Sequence, residues 1–219
     1  GNMIGTSNVY LAMKLGLEPK GTMAHETFMV RAAMMADTDE GLRASHGMVL
    51  DEWYKEYGKG LSIFLTDTFG TEFFFEDMTQ KQAEDGIGLR QDSGNPWAFK
   101  RRQIEFYEGR GIDPIQKAFV PSDGLDMGKL VSIHNADQNK IGQVGGVGTN
   151  LTNDFGEVPF LPGFKPLSLV MKAVEANGRP TVKLSDNPAK ATGPAEEVAR
   201  YQRVFGYDPT KYEFEECVY

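Results

Sequence analysis

Cysteine is almost missing from this chain: Cys217 is the only one among 219 residues, which rules out an internal disulfide and a multi-cysteine zinc site. A reducing compartment suits such a composition. Histidine is scarce as well, with three residues, so each can be weighed singly. No apolar run approaches the ~20 residues that cross a bilayer, and no secretory signal opens the chain; no membrane partner is expected. Positive charge is in deficit, with 23 Lys and Arg against 31 Asp and Glu and a net charge of −8. That balance argues against a nucleic-acid partner, which calls for a basic face. Local phosphate binding stays open, because backbone N–H groups and a few cations suffice for it. There is no Walker motif, and Gly145, Gly146 and Gly148 do not make the GxGxxG of a dinucleotide fold. An initiator methionine is lacking too: the chain opens on GNMIGTSN and reads as a piece of a longer polypeptide.

What is present is a series of five apolar runs, each closing on a polar signature: GTMAHE at 21–26, LSIFLTDTFGT at 61–71, GIGLRQDSGNP at 86–96, KAFVPSDGLDM at 117–127 and KIGQVGGVGTNLTND at 140–154. Read as strands, they recur at roughly 25 to 30 residues from the second onward, the spacing of a βα repeat. Chemistry at the carboxyl ends of successive strands is the habit of α/β barrels and open α/β sheets. The expected fold is α/β, an incomplete TIM-like barrel. Residues 1–165 would form the barrel core, and 166–219 a hairpin, a helix and a tail packed on it. Residues 27–58 predict one long or two shorter helices with a break near Asp37 to Gly41. Asn95 followed by Pro96 predicts a helix start, and Asp123 or Asp126 another. The apolar positions Met127, Leu130 and Val131, with His134, predict the buried face of that second helix. Asn177-Gly178 marks a hairpin turn, and PAEEVARYQRVFG a closing helix.

Several of these residue types carry chemistry. His25, after a predicted strand, has the side chain of a general base or of a nucleophile toward phosphorus at neutral pH. His46 is expected on a surface helix and His134 on an apolar helix face, both in structural roles. RQDSGNP sets Arg90, a planar cation for anionic or aromatic ligands, beside Asp92, a carboxylate for ribose hydroxyls. Asp67 and Asp123 hold corresponding places on neighbouring strands. Three carboxylates at one mouth would repel one another unless a sugar, a cation or Mg²⁺ joined them. SDGLDM and GGVGTN combine glycines with hydroxyl and carboxylate groups, so their N–H groups can close on a phosphate without interference from a Cβ.

Taken together, GTSN (5–8), GTMAHE, TDTFGT (66–71), RQDSGNP (90–96), SDGLD (122–126), GVGTNLTND (146–154) and KLSDN (183–187) resemble nicotinate phosphoribosyltransferase, particularly its eukaryotic and fungal-like form. The likeness runs from Gly5 to about Asn187. It implies a barrel of the type II phosphoribosyltransferase kind and an enzyme of NAD salvage. Such an enzyme joins nicotinate to 5-phosphoribosyl 1-diphosphate and couples that step to ATP hydrolysis through a phosphohistidine. His25 matches the phosphorylated histidine. Asp67 and Asp92 match acidic positions near ribose, diphosphate and Mg²⁺, which they would hold indirectly. Arg90 matches the arginine beside the pyridine ring. Ser122, Asp123, Gly124, Gly146, Gly148 and Thr149 match the loops around ribose and its 5-phosphate. Ser7 stands where related nicotinamide enzymes carry aspartate, which would repel a carboxylate substrate.

The resemblance further implies a homodimer for the full-length protein, located in the cytoplasm and also the nucleus. Two other readings are kept: a fragment that binds phosphoribosyl ligands or only dimerises, and a nicotinamide or quinolinate phosphoribosyltransferase. Family members carry an N-terminal region with a ring-stacking aromatic residue that is not in this sequence. Residues 1–219 alone are therefore expected to have little or no activity.

Overall fold

The structure, a computed structural model, describes residues 3–137, 140–148 and 170–211. Its first helix α1 (Val9–Leu15) is capped by Asn8, whose side chain accepts from Leu11 N–H, and is followed by α2 (His25–Met35) and α3 (Asp39–Tyr57). The helix break predicted near Asp37 is real: Thr38 leaves helical geometry and its hydroxyl caps α3 through Gly41 N–H.

Three units of strand and helix and then a fourth strand come next. Strand β1 (Ile63–Leu65) leads to α4 (Thr71–Asp77) and α5 (Gln80–Asp85). Strand β2 (Gly88–Gln91) leads to α6 (Pro96–Glu108), β3 (Ala118–Pro121) to α7 (Met127–Asn135), and then comes β4 (Gly142–Gln143). Asn95 Oδ1 accepts from Trp97 and Ala98 N–H with Pro96 at the first helical position, and Asp126 caps α7 through Lys129 N–H. In both cases the sequence chemistry produces the predicted helix start.

The four strands are parallel and lie in the order β1-β2-β3-β4, as successive strands of one wall, with Phe64, Leu89 and Phe119 in register. All three side chains are fully buried. Gly88 is obligatory here, because a Cβ on it would lie 2.1 Å from the Ala118 carbonyl oxygen of β3. Among the described residues the α/β sheet is open, with no strand joining β4 back to β1. Parallel pairing puts every carboxyl end on one edge, so Asp67, Asp92, Ser122 and the 144–148 loop emerge side by side.

The C-terminal part holds the hairpin β5 (Glu175–Ala176) and β6 (Arg179–Pro180), turned at Asn177 and Gly178 with φ of 53° and 74°, and the helix α8 (Ala195–Val204). Two successive left-handed residues are what a type I′ hairpin requires. Val182, Leu184, Tyr201, Phe205 and Tyr207 enter the same core as the sheet, and Phe205 stacks on Phe69 with ring centroids 4.2 Å apart.

Three expectations fail. GTMAHE forms no strand: its backbone is extended at Ala24 but pairs with nothing among the described residues, and His25 is instead the first residue of α2. His46 is buried rather than superficial, because α3 packs against both α2 and α4. Its Nδ1 lies 2.7 Å from Asp77 Oδ2, and its ring sits among Phe28, Phe73 and Phe74. The α7 stripe holds only at Leu130, which is half-buried against the core: Met127, Val131 and His134 are exposed, and Ile133 is the fully buried residue of the helix, because the helix turns the Leu130 and Ile133 side to the sheet.

Candidate active site

His25 is buried where the ends of β1 and β2 meet the start of α2. Its Nδ1 lies 2.9 Å from Thr68 Oγ1 and its Nε2 3.0 Å from Asp92 Oδ2, with Asp67 Oδ1 at 3.7 Å from the same nitrogen. A carboxylate only accepts, so Nε2 carries a proton in this arrangement. The threonine hydroxyl can then donate to Nδ1 of a neutral ring. The imidazole is thereby held at both nitrogens.

Arg90, at the end of β2, spends its guanidinium on three partners. Nε donates to Ser122 Oγ at 2.9 Å, Nη1 to Thr22 Oγ1 at 2.9 Å and Nη2 to Asp92 Oδ1 at 2.6 Å. Ser122 Oγ also bridges to Asp92 Oδ1 and to the Gln91 carbonyl oxygen, both at 2.9 Å. Burial by itself would raise the Asp92 carboxyl. The hydrogen bond from His25 and the charge of Arg90 outweigh it and hold the group well below the usual carboxylate range.

A second layer comes from the KLSDN stretch. Asp67 Oδ2 accepts from Ser93 Oγ at 2.5 Å and from Ser185 Oγ at 3.5 Å, with Lys183 Nζ at 4.0 Å. Leu184 N–H donates to the Thr68 carbonyl oxygen at 2.8 Å, so the segment also fixes the residue that holds the His25 ring. Ser185 is in the left-handed region with φ of 67°, and its carbonyl accepts from Tyr207 Oη. This is an unfavourable conformation for a serine, retained where both flanks are fastened. Asp186 Oδ1 accepts from Thr71 N–H at 2.8 Å, at the first residue of α4. Burial, and after it the Asp67 charge, push the Asp186 carboxyl up to about 8.

The loops after β3 and β4 approach each other closely. Gly146 N–H donates to the Pro121 carbonyl oxygen at 2.9 Å, and a Cβ on Gly146 would stand 3.1 Å from Ser122 Cβ. Gly124 takes the left-handed φ of 53° that its place in SDGLD requires. Asp123 does not join the His25 carboxylates but pairs with Lys190, whose Nζ is 3.3 Å from its Oδ2.

The family model described as nicotinate phosphoribosyltransferase (NAPRTase) matches residues 1–209. The chain belongs to the nicotinate phosphoribosyltransferase family. Solved structures agree with this. A nicotinate phosphoribosyltransferase from Vibrio cholerae is 34% identical over 94% of this chain and 48% of its own, with a TM-score of 0.86. One from Porphyromonas gingivalis is 34% identical over 93% of this chain and 51% of its own, at 0.82. A Saccharomyces cerevisiae structure given the same function is 32% identical over 94% of this chain and 50% of its own, at 0.85. The chain thus spans about half the length of each of these neighbours.

As a member of this family, the chain draws His25, Asp67, Arg90, Asp92 and Ser122 into one cluster, with Gly124 and Gly146 on the adjoining loops. Gly148 lies further along the same loop as Gly146. Ser7 stands apart: it is exposed just before α1, and no hydrogen bond or ion pair joins it to the cluster among the described residues. Thr149 lies outside the described residues, as do 150–169. The sequence reading missed Thr22, Thr68, Lys183, Ser185 and Asp186. The signal was there in KLSDN, which contributes to the resemblance without having been given a role.

For a metal, donor atoms of His25, Asp67 and Asp92 lie within 4.8 Å of one another. Asp67 Oδ1 is buried with no hydrogen-bond partner among the described residues. Two carboxylates, one with an oxygen to spare, suit a hard cation such as Mg²⁺. The residues present therefore fit that group. Among the described residues no helix is long and apolar enough to cross a membrane.

Proposed function

We propose that the full-length protein is a nicotinate phosphoribosyltransferase that uses ATP through a phosphohistidine at His25. The observation that supports this most is the clamping of His25 between Thr68 and Asp92, with Asp67 beside it and Arg90 fastened to the same aspartate. Asp92 keeps the proton on Nε2, so the lone pair of the neutral ring is at Nδ1 and is freed when the Thr68 hydroxyl turns away. Nδ1 then forms a bond to the γ-phosphorus of ATP, the bond from that phosphorus to the β-bridging oxygen breaks, and ADP leaves. The Asp92 carboxylate stabilises the positive ring that results, as a carboxylate does for histidine in other nucleophilic sites.

In the second reaction the pyridine nitrogen of nicotinate bonds to the ribose C1′ as the bond from C1′ to diphosphate breaks. Positive charge grows on the ribose, and the carboxylates of Asp67, buried, and Asp92, half-buried, favour it. Mg²⁺ held at Asp67 and Asp92 would neutralise charge on the diphosphate. Arg90, fixed at Nε, Nη1 and Nη2, offers its planar face to the ring and its charge to the nicotinate carboxylate. The loops of Ser122 to Gly124 and of Gly146 to Thr149 would take the ribose and its 5-phosphate through N–H groups and hydroxyls.

The test is radiolabelling of the full-length protein with γ-labelled ATP. Acid-labile, base-stable label is expected on the wild type and not on His25→Asn. Equal labelling of both would refute the phosphohistidine reading.

A further inference from the structure

Lys183 differs from the other buried lysines. Lys100 Nζ donates to the carbonyl oxygens of Ile133 and Ala136 and to Gln143 Oε1, closing the C-terminus of α7. Lys117 Nζ donates to the carbonyl oxygens of Glu84 and Gly86. Both spend their protons on the protein, as buried ammonium groups do when their role is structural. The Lys183 side chain is only 6% exposed, yet its ammonium makes no hydrogen bond to any described residue. Its nearest charge, Asp67 Oδ2, is 4.0 Å away, beyond hydrogen-bond length, and already accepts from Ser93.

The backbone that carries this side chain is pinned on both sides. Lys183 N–H donates to the Thr192 carbonyl oxygen at 3.1 Å and its own carbonyl accepts from Thr192 N–H at 3.0 Å, while Leu184 is tied to Thr68. The ammonium is thus delivered to one side of the Asp67 carboxylate, whose other oxygen stands 3.7 Å from His25 Nε2 and is itself unpartnered among the described residues. A buried cation with unused donors and a buried carboxylate oxygen with no donor call for a ligand that satisfies both. Anionic oxygens answer the first, and a hydroxyl or a cation the second.

We propose that Lys183 is a catalytic residue that binds a phosphoryl oxygen beside His25. This rests on the reading that phosphoryl chemistry takes place there. The oxygen can come from the terminal phosphate that His25 receives or from the diphosphate end of the second substrate. A charge-assisted bond from the ammonium of a largely buried side chain is the chemistry common to both.

The experiment uses the full-length protein as wild type, Lys183→Met, Lys183→Arg and His25→Asn, with thermal melting run on each. Inorganic diphosphate with Mg²⁺ is titrated calorimetrically, and label from γ-labelled ATP is followed on the protein. Lys183→Met should weaken diphosphate binding, or slow labelling, by at least about tenfold, with Lys183→Arg recovering most of the loss. Loss in the titration assigns the oxygen to diphosphate, and loss in the labelling assigns it to the group bound for His25. Unchanged values in both assays overturn the proposal. So does a loss shared equally by the Met and Arg forms, which would mark Lys183 as a packing residue. Absence of label on the wild type counts against the phosphohistidine alone, because the titration still decides the role of Lys183.

Discussion

Replacing Asp186 with asparagine removes its charge while keeping an acceptor for Thr71 N–H, which separates the two roles of this buried carboxyl. Burial, and then the neighbouring Asp67 charge, raise its pKa from 3.8 to about 8. Between those values the folded protein keeps a proton that the unfolded chain has released. The stability that Asp186 contributes is therefore complete below pH 3.8 and is lost progressively as pH rises to about 8. At ~1.4 kcal/mol per unit, a shift of about four units limits the loss to ~6 kcal/mol. Relaxation and sharing of charge with Asp67 reduce this to about 2–3 kcal/mol. Asp186→Asn should accordingly be more stable than the wild type by about 2–3 kcal/mol at pH 8.5, the gap closing to below about 1 kcal/mol at pH 5. Urea unfolding of both proteins at pH 5, 7 and 8.5 measures it. A gap that stays constant over this range, or a variant less stable at pH 8.5, would refute the reasoning.

Asp92→Asn leaves the His25 ring without the carboxylate that fixes the Nε2 proton, and kcat for nicotinate mononucleotide formation should fall by about 10²–10⁴-fold. An effect confined to KM would contradict the orienting role. Gly88→Ala drives a methyl group into the Ala118 carbonyl oxygen and should cost about 3 kcal/mol through separation of β2 from β3, read as a lower urea midpoint. Residues 1–219 alone should turn over little or no nicotinate. Their match covers about half of each neighbour, and Val9, Tyr10, Met13 and Leu15 of α1 are exposed. Turnover by the isolated chain at the rate of the full-length protein would dispose of that expectation.

Much of the site was legible because its chemistry is local. Asn95 followed by Pro96 starts a helix through bonds two and three residues away, and Asn177-Gly178 supplies two left-handed residues in succession. Once β1, β2 and β3 are parallel, Asp67, Asp92 and Ser122 must emerge on the same edge. The strand expected at GTMAHE failed because strand identity depends on a pairing partner, which periodicity alone does not supply. His46 failed because a polar face on a 19-residue helix is no guide when a second helix packs there.

The order of amino acids alone determined the α/β alternation, the helix starts, the hairpin turn and the family motifs, all of which depend on neighbours within a few residues or on residue identity. Tertiary structure decided which groups lose water and which charges meet. His25 reaches Thr68 across 43 residues, and Ser185 reaches Asp67 across 118. Desolvation and Coulomb energy depend on distance and burial in space. The raised carboxyl of Asp186, the lowered one of Asp92 and the unspent ammonium of Lys183 therefore arise only when these distant segments pack together.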